Sequence, residues 1–211
     1  QTTWTDYAMM LRFSKNYAFG GSGRPRVQFS SYAGTVHSGD DWYSLSTGMV
    51  AMETTNSNNN VSSLALITPN SVSEFIRVVV ANTVAVDGAT WAAAFSRHNQ
   101  WMITDMKRFH RFPKFNQKRI APGLLTVLEQ MPGTIVWADV TPVLEAQGYW
   151  ASYNIPYFPV IYNISGTRAM FERYGDFFSY TKYARAEMFK RNQSAATSLE
   201  GVQRLIRYNN W

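Results

Sequence analysis

Apolar and polar positions alternate over residues 27–32 (Val-Gln-Phe-Ser-Ser-Tyr) and 101–106, the period of half-buried strands. Residues 41–46 and 49–55 read as a hairpin closed around Thr47-Gly48. Residues 124–129 and 134–139 read as another, closed by Met131-Pro132-Gly133. Other stretches follow helical spacing. Thr3-Trp4-Thr5-Asp6 fits a capping box, and Tyr7, Met10, Leu11, Tyr17 and Ala18 continue from it as a stripe that Gly20-Gly21 ends. Ser71 and Glu74 form a second capping box, behind which Ile76, Val79, Val80, Thr83 and Val84 share one face. Asp87-Gly88 breaks that helix, and Trp91, Phe95 and His98 line a second, short one. Residues 142–147 make a helical turn stopped by Gly148. Residues 165–174, 184–192 and 198–209 read as helices, the last with Ser198 as N-cap and Val202, Leu205 and Ile206 turned inward. Residues 20–25 and the Asn-rich 56–60 are connections. Hairpins with helices between and after them, without repeat or boundary, predict one α+β layered domain over residues 1–211 with mostly antiparallel sheet.

Composition narrows the classes. With 211 residues, 45% hydrophobic and only 16% charged, the chain buries a sizeable core and is not disordered. It has no Cys, so disulfides, thiolate metal sites and a Cys nucleophile cannot come from these residues. No apolar run approaches the ~18–20 residues that span a bilayer. Gln1 opens just ahead of a helix start and Trp211 closes directly after a helical pattern, so the chain reads as a processed piece of something longer. The net charge is +6, much of it in residues 107–119, where Lys107, Arg108, Arg111, Lys114, Lys118 and Arg119 surround Phe109, Phe112 and Phe115. That segment fits a solvated loop over tucked rings, a nucleic-acid patch or a contact with anionic lipid, and its residues do not choose among them.

Candidate chemistry is sparse. His37, His98 and His110 lack metal-ligand spacing, so no metal or other cofactor is expected. Asp40-Asp41 could be paired acids, but neighbours in a strand point to opposite faces, which reads as one turn cap and one solvated acid. Gly20-Gly21-Ser22-Gly23 lacks the Lys of a phosphate loop, and no Ser sits in a Gly-X-Ser-X-Gly elbow. Thr54-Thr55 ends a strand and could present a hydroxyl into a cleft or serve the fold alone, and Arg185, near Tyr180 and Tyr183, could clamp a carboxylate or phosphate or be a plain surface Arg. Residues 148–157, Gly-Tyr-Trp-Ala-Ser-Tyr-Asn-Ile-Pro-Tyr, surround one amide, Asn154, with aromatic and apolar side chains, and Pro156 biases Ile155 to an extended backbone. Such an Asn has few rotamers. It suits a fixed donor facing developing negative charge, or a strand end whose amide satisfies nearby backbone. Asn-X-Ser/Thr sequons at Asn60, Asn163 and Asn192 mark candidate glycosylation sites.

Longer strings carry a resemblance along nearly the whole chain. They include Phe29-Ser30-Ser31-Tyr32-Ala33-Gly34, Ser38-Gly39-Asp40-Asp41-Trp42-Tyr43, Glu53-Thr54-Thr55 and Asp87-Gly88-Ala89-Thr90-Trp91-Ala92. Leu128-Glu129-Gln130-Met131-Pro132-Gly133 and Tyr149-Trp150-Ala151-Ser152-Tyr153-Asn154-Ile155-Pro156-Tyr157 follow in the same order. The sequence resembles the phospholipase B-like proteins, lysosomal members of the N-terminal-nucleophile hydrolase superfamily.

The resemblance implies a four-layer αββα sandwich matured by internal cleavage that frees an N-terminal Cys. That Cys, on a segment preceding this chain, is the nucleophile and its α-amine the base. Asn154 then corresponds to the oxyanion donor, Thr55, Trp4 and Arg185 line the pocket, and Gln1 stands where the family has His. A Ser-Gly-Thr-Tyr-Asn insert of the family between Asn99 and Gln100 is absent here. The resemblance further implies a lysosomal glycoprotein that hydrolyses an amide or ester, with a lipid or amide small molecule as substrate. Its partners would be other fragments of the same precursor, with a homodimer left open and no nucleic acid. A catalytically weakened glycoprotein with a binding role is the alternative.

Overall fold

The computed structural model describes residues 12–95, 100–112 and 117–208. Among the described residues seven strands make one antiparallel sheet. Its order is β1 (Arg12–Tyr17), β2 (Val27–Tyr32), β3 (Trp42–Leu45), β4 (Met49–Thr54), β5 (Gln100–Asp105), β8 (Leu125–Met131) and β9 (Thr134–Asp139). Between β5 and β8, strands β6 (Phe109–Phe112) and β7 (Gln117–Ile120) pair as a separate ribbon. The hairpins read from turn chemistry are present: Gly48 and Gly133 adopt φ values of 84° and 79°, which the turns need and an L side chain resists.

The two faces of the sheet are covered differently. Helices α1 (Glu74–Val84) and α2 (Gly88–Phe95) pack on one face. There Val78, Ala81, Trp91 and Phe95 meet Phe29, Tyr43, Met49, Ala51, Trp101 and Leu128. Trp91 stacks on Phe95 at 4.9 Å between centroids, and its indole N–H donates to Asn82 Oδ1 at 2.8 Å. The start of α2 lies so near β8 that a Cβ on Gly88 would sit 2.3 Å from Thr126 Oγ1.

On the opposite face, Met102, Leu125, Val127 and Val140 pack with Met52, Leu144, Trp150, Tyr157 and Phe158. Leu144 comes from helix α3 (Thr141–Gln147), and Trp150, Tyr157 and Phe158 from the segment after it. Helices α4 (Pro159–Ile164), α5 (Thr167–Tyr174), α6 (Ala184–Asn192) and α7 (Leu199–Ile206) follow. Ser198 caps α7, its hydroxyl accepting from Gly201 N at 3.0 Å.

The structure corrects several readings. Residues 12–17, expected in the first helix, form β1, because all six pair with β2 from Arg12↔Tyr32 to Tyr17↔Val27; Thr3, Trp4, Asp6, Tyr7, Met10 and Leu11 lie outside the described residues. Helix α1 begins after Ser73, and it buries Arg77, Val78, Ala81 and Asn82 instead of the expected stripe. The small Ala81 lets the helix approach, and Arg77 donates to the carbonyls of Val72 and Phe95 at 3.1 Å each, while Ile76, Val80 and Val84 stay exposed. The expected alternation of β5 is replaced by burial on both faces. The described part of the basic segment pairs as a ribbon, β6 with β7, rather than a loop, and two of its cations serve the buried carboxylate of Asp105: Arg108 at 3.1 Å and Lys107 at 3.4 Å. The helix expected from residue 165 is α5, which starts two residues later, after Gly166 at φ 77°, and the separate helix α4 precedes it. Ile206, expected inward, is 77% exposed. Among the described residues no helix is long and apolar enough to cross a membrane.

Candidate functional site

Asn154 lies in residues 149–158, which cross the sheet from α3 to α4 with little regular structure. Their backbone groups must therefore find partners elsewhere. Asn154 itself has φ 60°, one of two non-glycine residues with positive φ among those described. Its peptide oxygen accepts from Ser57 N at 3.2 Å. Its Nδ2 donates to the Thr55 carbonyl at 2.7 Å, and its Oδ1 accepts from Arg185 Nη1 at 2.9 Å. The amide orientation follows from chemistry, because a guanidinium only donates and a carbonyl only accepts. One of the two N–H groups on Nδ2 therefore has no acceptor among the described residues.

Arg185 stands in the first turn of α6 with its guanidinium over the Tyr183 ring at 4.9 Å, and it also donates to the Tyr153 carbonyl. Its hydrogen-bond partners among the described residues are neutral oxygens, so none of them compensates the cation beside the carboxamide. A cavity of about 70 Å³ opens here, lined by Asn154, Arg185, Tyr183, Ser57 and Phe178. Across Tyr153 lies a larger one of about 510 Å³, walled by Tyr149, Trp150, Tyr153, Tyr157 and Tyr180 with Lys190 at its edge. Tyr180 donates to the Ala151 carbonyl at 2.9 Å, and burial pushes the Tyr153 phenol up to about 12.

Two acidic features escaped the sequence reading. Glu129 on β8 is fully buried. Its carboxyl accepts from Tyr157 N at 2.7 Å and Phe158 N at 2.8 Å, and also from Gln100 Nε2. Burial raises its pKa against the opposing pull of those N–H donors. On the other face of the sheet, Glu53 and Asp41 place their carboxyls within hydrogen-bond reach of each other. Burial, with the charges of Asp41 and Glu74, lifts Glu53 to about 8, and burial also raises Asp41. Asp41 is thus neither a cap nor a solvated acid, and its φ of 52° reflects the turn that brings it to Glu53 N, which donates to the Asp41 carbonyl at 2.9 Å. Asp40 instead accepts from the Ser30 hydroxyl.

The structure brings Asn154, Thr55 and Arg185 together, though Thr55 contributes its carbonyl to Asn154 while its hydroxyl reaches Glu53 Oε1 at only 3.4 Å. Gln1 and Trp4 lie outside the described residues. Of the sequon asparagines, Asn60 donates its Nδ2 to the Ile164 carbonyl at 3.1 Å, whereas Asn163 and Asn192 use only their oxygens, toward Arg168 and Arg191. Nothing in the pattern of β8 announces Glu129, since its N–H partners lie 28 and 29 residues away in sequence. Its one signal is that it is the single charged residue in a strand of seven.

The family model described as Phospholipase B matches residues 1–211. The chain is 45% identical over 226 residues to mouse "Putative phospholipase B-like 2", covering 99% of this chain and 37% of the mouse protein. It is 41% identical to "Phospholipase B-like protein B" of Dictyostelium discoideum, covering 100% of this chain and 38% of that protein. With "Phospholipase-B 81" of the snake Drysdalia coronoides it shares 38% identity over 100% of this chain and 39% of that protein. The chain thus spans less than two-fifths of the length of these relatives, and it belongs to the phospholipase B-like family.

Proposed function

We propose that this chain carries the oxyanion-stabilising part of a phospholipase B-like hydrolase that cleaves an amide or ester bond. In this reading the attacking group is an N-terminal nucleophile on a preceding segment of the same precursor, and the seven-stranded sheet is one layer of an αββα sandwich. The observation that carries it is the Asn154 carboxamide. Its oxygen is held by Arg185, one N–H is held by Thr55, and the second N–H is left over beside a cavity. A donor fixed in this way needs no reorganisation as charge develops on a substrate oxygen, a contribution of ~3–4 kcal/mol to the barrier. The aromatic cavity across Tyr153 suits the apolar part of an amphiphilic substrate, in keeping with the names of the relatives.

The proposal includes a lysosomal setting with glycans at Asn60, Asn163 and Asn192. Raised carboxyl pKa values support it. Glu53 and Asp41 bind protons more tightly folded than unfolded, so the fold loses stability as pH rises and is favoured in an acidic compartment. Gln1, where the family has His, favours a second reading, a glycoprotein that keeps the pocket for binding.

The test uses the full-length, matured protein and 4-nitrophenyl octanoate as probe ester. Asn154→Ala should lower kcat by ~10²–10³ with the fold intact, as read from circular dichroism. An unchanged kcat removes Asn154 from the chemistry, and a wild type without turnover supports the binding reading.

A further inference from the structure

We propose that Glu129 is a positioning residue for the Asn154 carboxamide, acting through the backbone of residues 152–158; the inference rests on the reading of Asn154 as oxyanion donor. The tether is two-ended. On the C-terminal side, consecutive amides of Tyr157 and Phe158 donate to Oε1 and Oε2 of the same carboxyl, which fixes the plane of the chain as it leaves Pro156. On the N-terminal side, the Gln100 side chain donates to Glu129 Oε1, and its own oxygen accepts from the Thr54 hydroxyl at 3.2 Å. Thr54 in turn shares a hydrogen bond with the Ser152 hydroxyl. One buried polar system on β4, β5 and β8 therefore grips the segment two residues before Asn154 and three residues after it.

The residue between these grips needs such a hold. A non-glycine residue at φ 60° persists only where its surroundings over-determine it. The Thr55 and Arg185 contacts fix the carboxamide relative to β4 and α6, but both depend on where the backbone places Cβ. Gln100 and Glu129 are each 0% exposed, so water cannot replace a lost bond there. The phenol of Tyr180, itself bonded to the Ala151 carbonyl, also feels the charge of the Glu129 carboxyl. A donor displaced by about 1 Å forfeits about 10²-fold in rate, so the tether acts on turnover through geometry alone.

The test is Glu129→Gln in the full-length, matured protein. The variant keeps the shape but sets an NH2 against donors that all require an acceptor. Turnover of 4-nitrophenyl octanoate should fall by about 10- to 100-fold with KM within about twofold. Amide exchange should quicken at Ile155, Tyr157 and Phe158 while β4, β5 and β8 keep their protection, and the side-chain ¹⁵N resonance of Asn154 should move. Ser152→Ala loosens the other end without touching a charge and should give a smaller fall in kcat, about three- to tenfold, in the same direction. It decides the matter if Glu129→Gln does not fold. Quickened exchange at residues 155–158 with kcat and the Asn154 resonance unmoved overturns the proposal, as does a uniform loss of protection across the sheet. If the wild type does not hydrolyse the ester, the hydrolase reading fails, and the Asn154 resonance alone still decides the positioning role.

Discussion

The sheet carries an acidic feature on each face, and the two solve the problem of a buried carboxyl in opposite ways. Glu129 is surrounded by N–H donors that favour its anion. Glu53 meets another carboxyl, Asp41, with Glu74 close behind, and His37 faces the pair from β2's exit turn. In both, burial raises the pKa. The difference lies in the neighbours. A carboxylate among donors becomes a fixed joint that organises backbone, whereas two facing carboxyls are compatible only while they share a proton. The first kind of acid holds a loop at any pH at which it is ionised, and the second makes the fold itself respond to pH.

The largest expected effect comes from removing the joint altogether. Glu129→Leu keeps approximate volume but orphans two backbone N–H groups and the Gln100 amide, each worth about 1–3 kcal/mol when buried and unpaired. Unfolding stability should fall by about 3 kcal/mol or more, read as a lower denaturant midpoint with unchanged slope. A loss below about 1 kcal/mol would place Glu129 with ordinary strand residues and erase the contrast.

The acid pair should behave in the opposite sense. Glu53 has its ordinary value near 4.5 and rises to about 8 in the fold, so the unfolded chain holds fewer protons throughout that interval. Wild-type stability should decline as pH climbs from 4.5 to about 8. Glu53→Gln supplies a permanent neutral partner for Asp41. It should flatten that decline while leaving stability near pH 4.5 little changed, as read from melting temperature against pH. Asp40, Glu74 and His37 also face the pair, so the informative quantity is the difference between variant and wild type. Parallel curves would show that Glu53 does not carry the proton.

What the sequence made legible follows the same division. Hairpins announced themselves through local turn chemistry: Thr47-Gly48 and Met131-Pro132-Gly133 sit where the chain reverses. Asn154 and Arg185 were reachable because the resemblance supplied roles for them, and the structure joins them at 2.9 Å. Residues 12–17 were misread because the spacing of Tyr7, Met10, Leu11, Tyr17 and Ala18 imitates a helix, and pairing with β2 overrides it. Arg77 misled the assignment of the α1 face, since a buried guanidinium satisfied by two carbonyls looks like a solvated charge in sequence. Glu129 and the Asp41–Glu53 pair were invisible for a deeper reason. Their meaning depends on partners brought near only by sheet register and by a crossing segment, and no local pattern encodes that.

A third carboxylate sharpens the contrast at the smallest scale. Asp139, at the end of β9, repeats the arrangement of Glu129, accepting from Thr141 N at 2.9 Å with Oδ1 and from Gly123 N at 2.7 Å with Oδ2. It too joins one backbone segment to another, here the start of α3 to the turn before β8. The difference is that Asp139 is exposed. When its carboxylate is removed, water can take up both N–H groups, so the cost is that of a helix-start contact rather than of orphaned donors. Asp139→Ala should therefore cost only about 1 kcal/mol, measured against Glu129→Leu under the same denaturant. If the two costs were equal, the number of backbone donors would set the worth of such a joint. A several-fold gap assigns it to burial, the property that lets Glu129 fix the chain around Asn154.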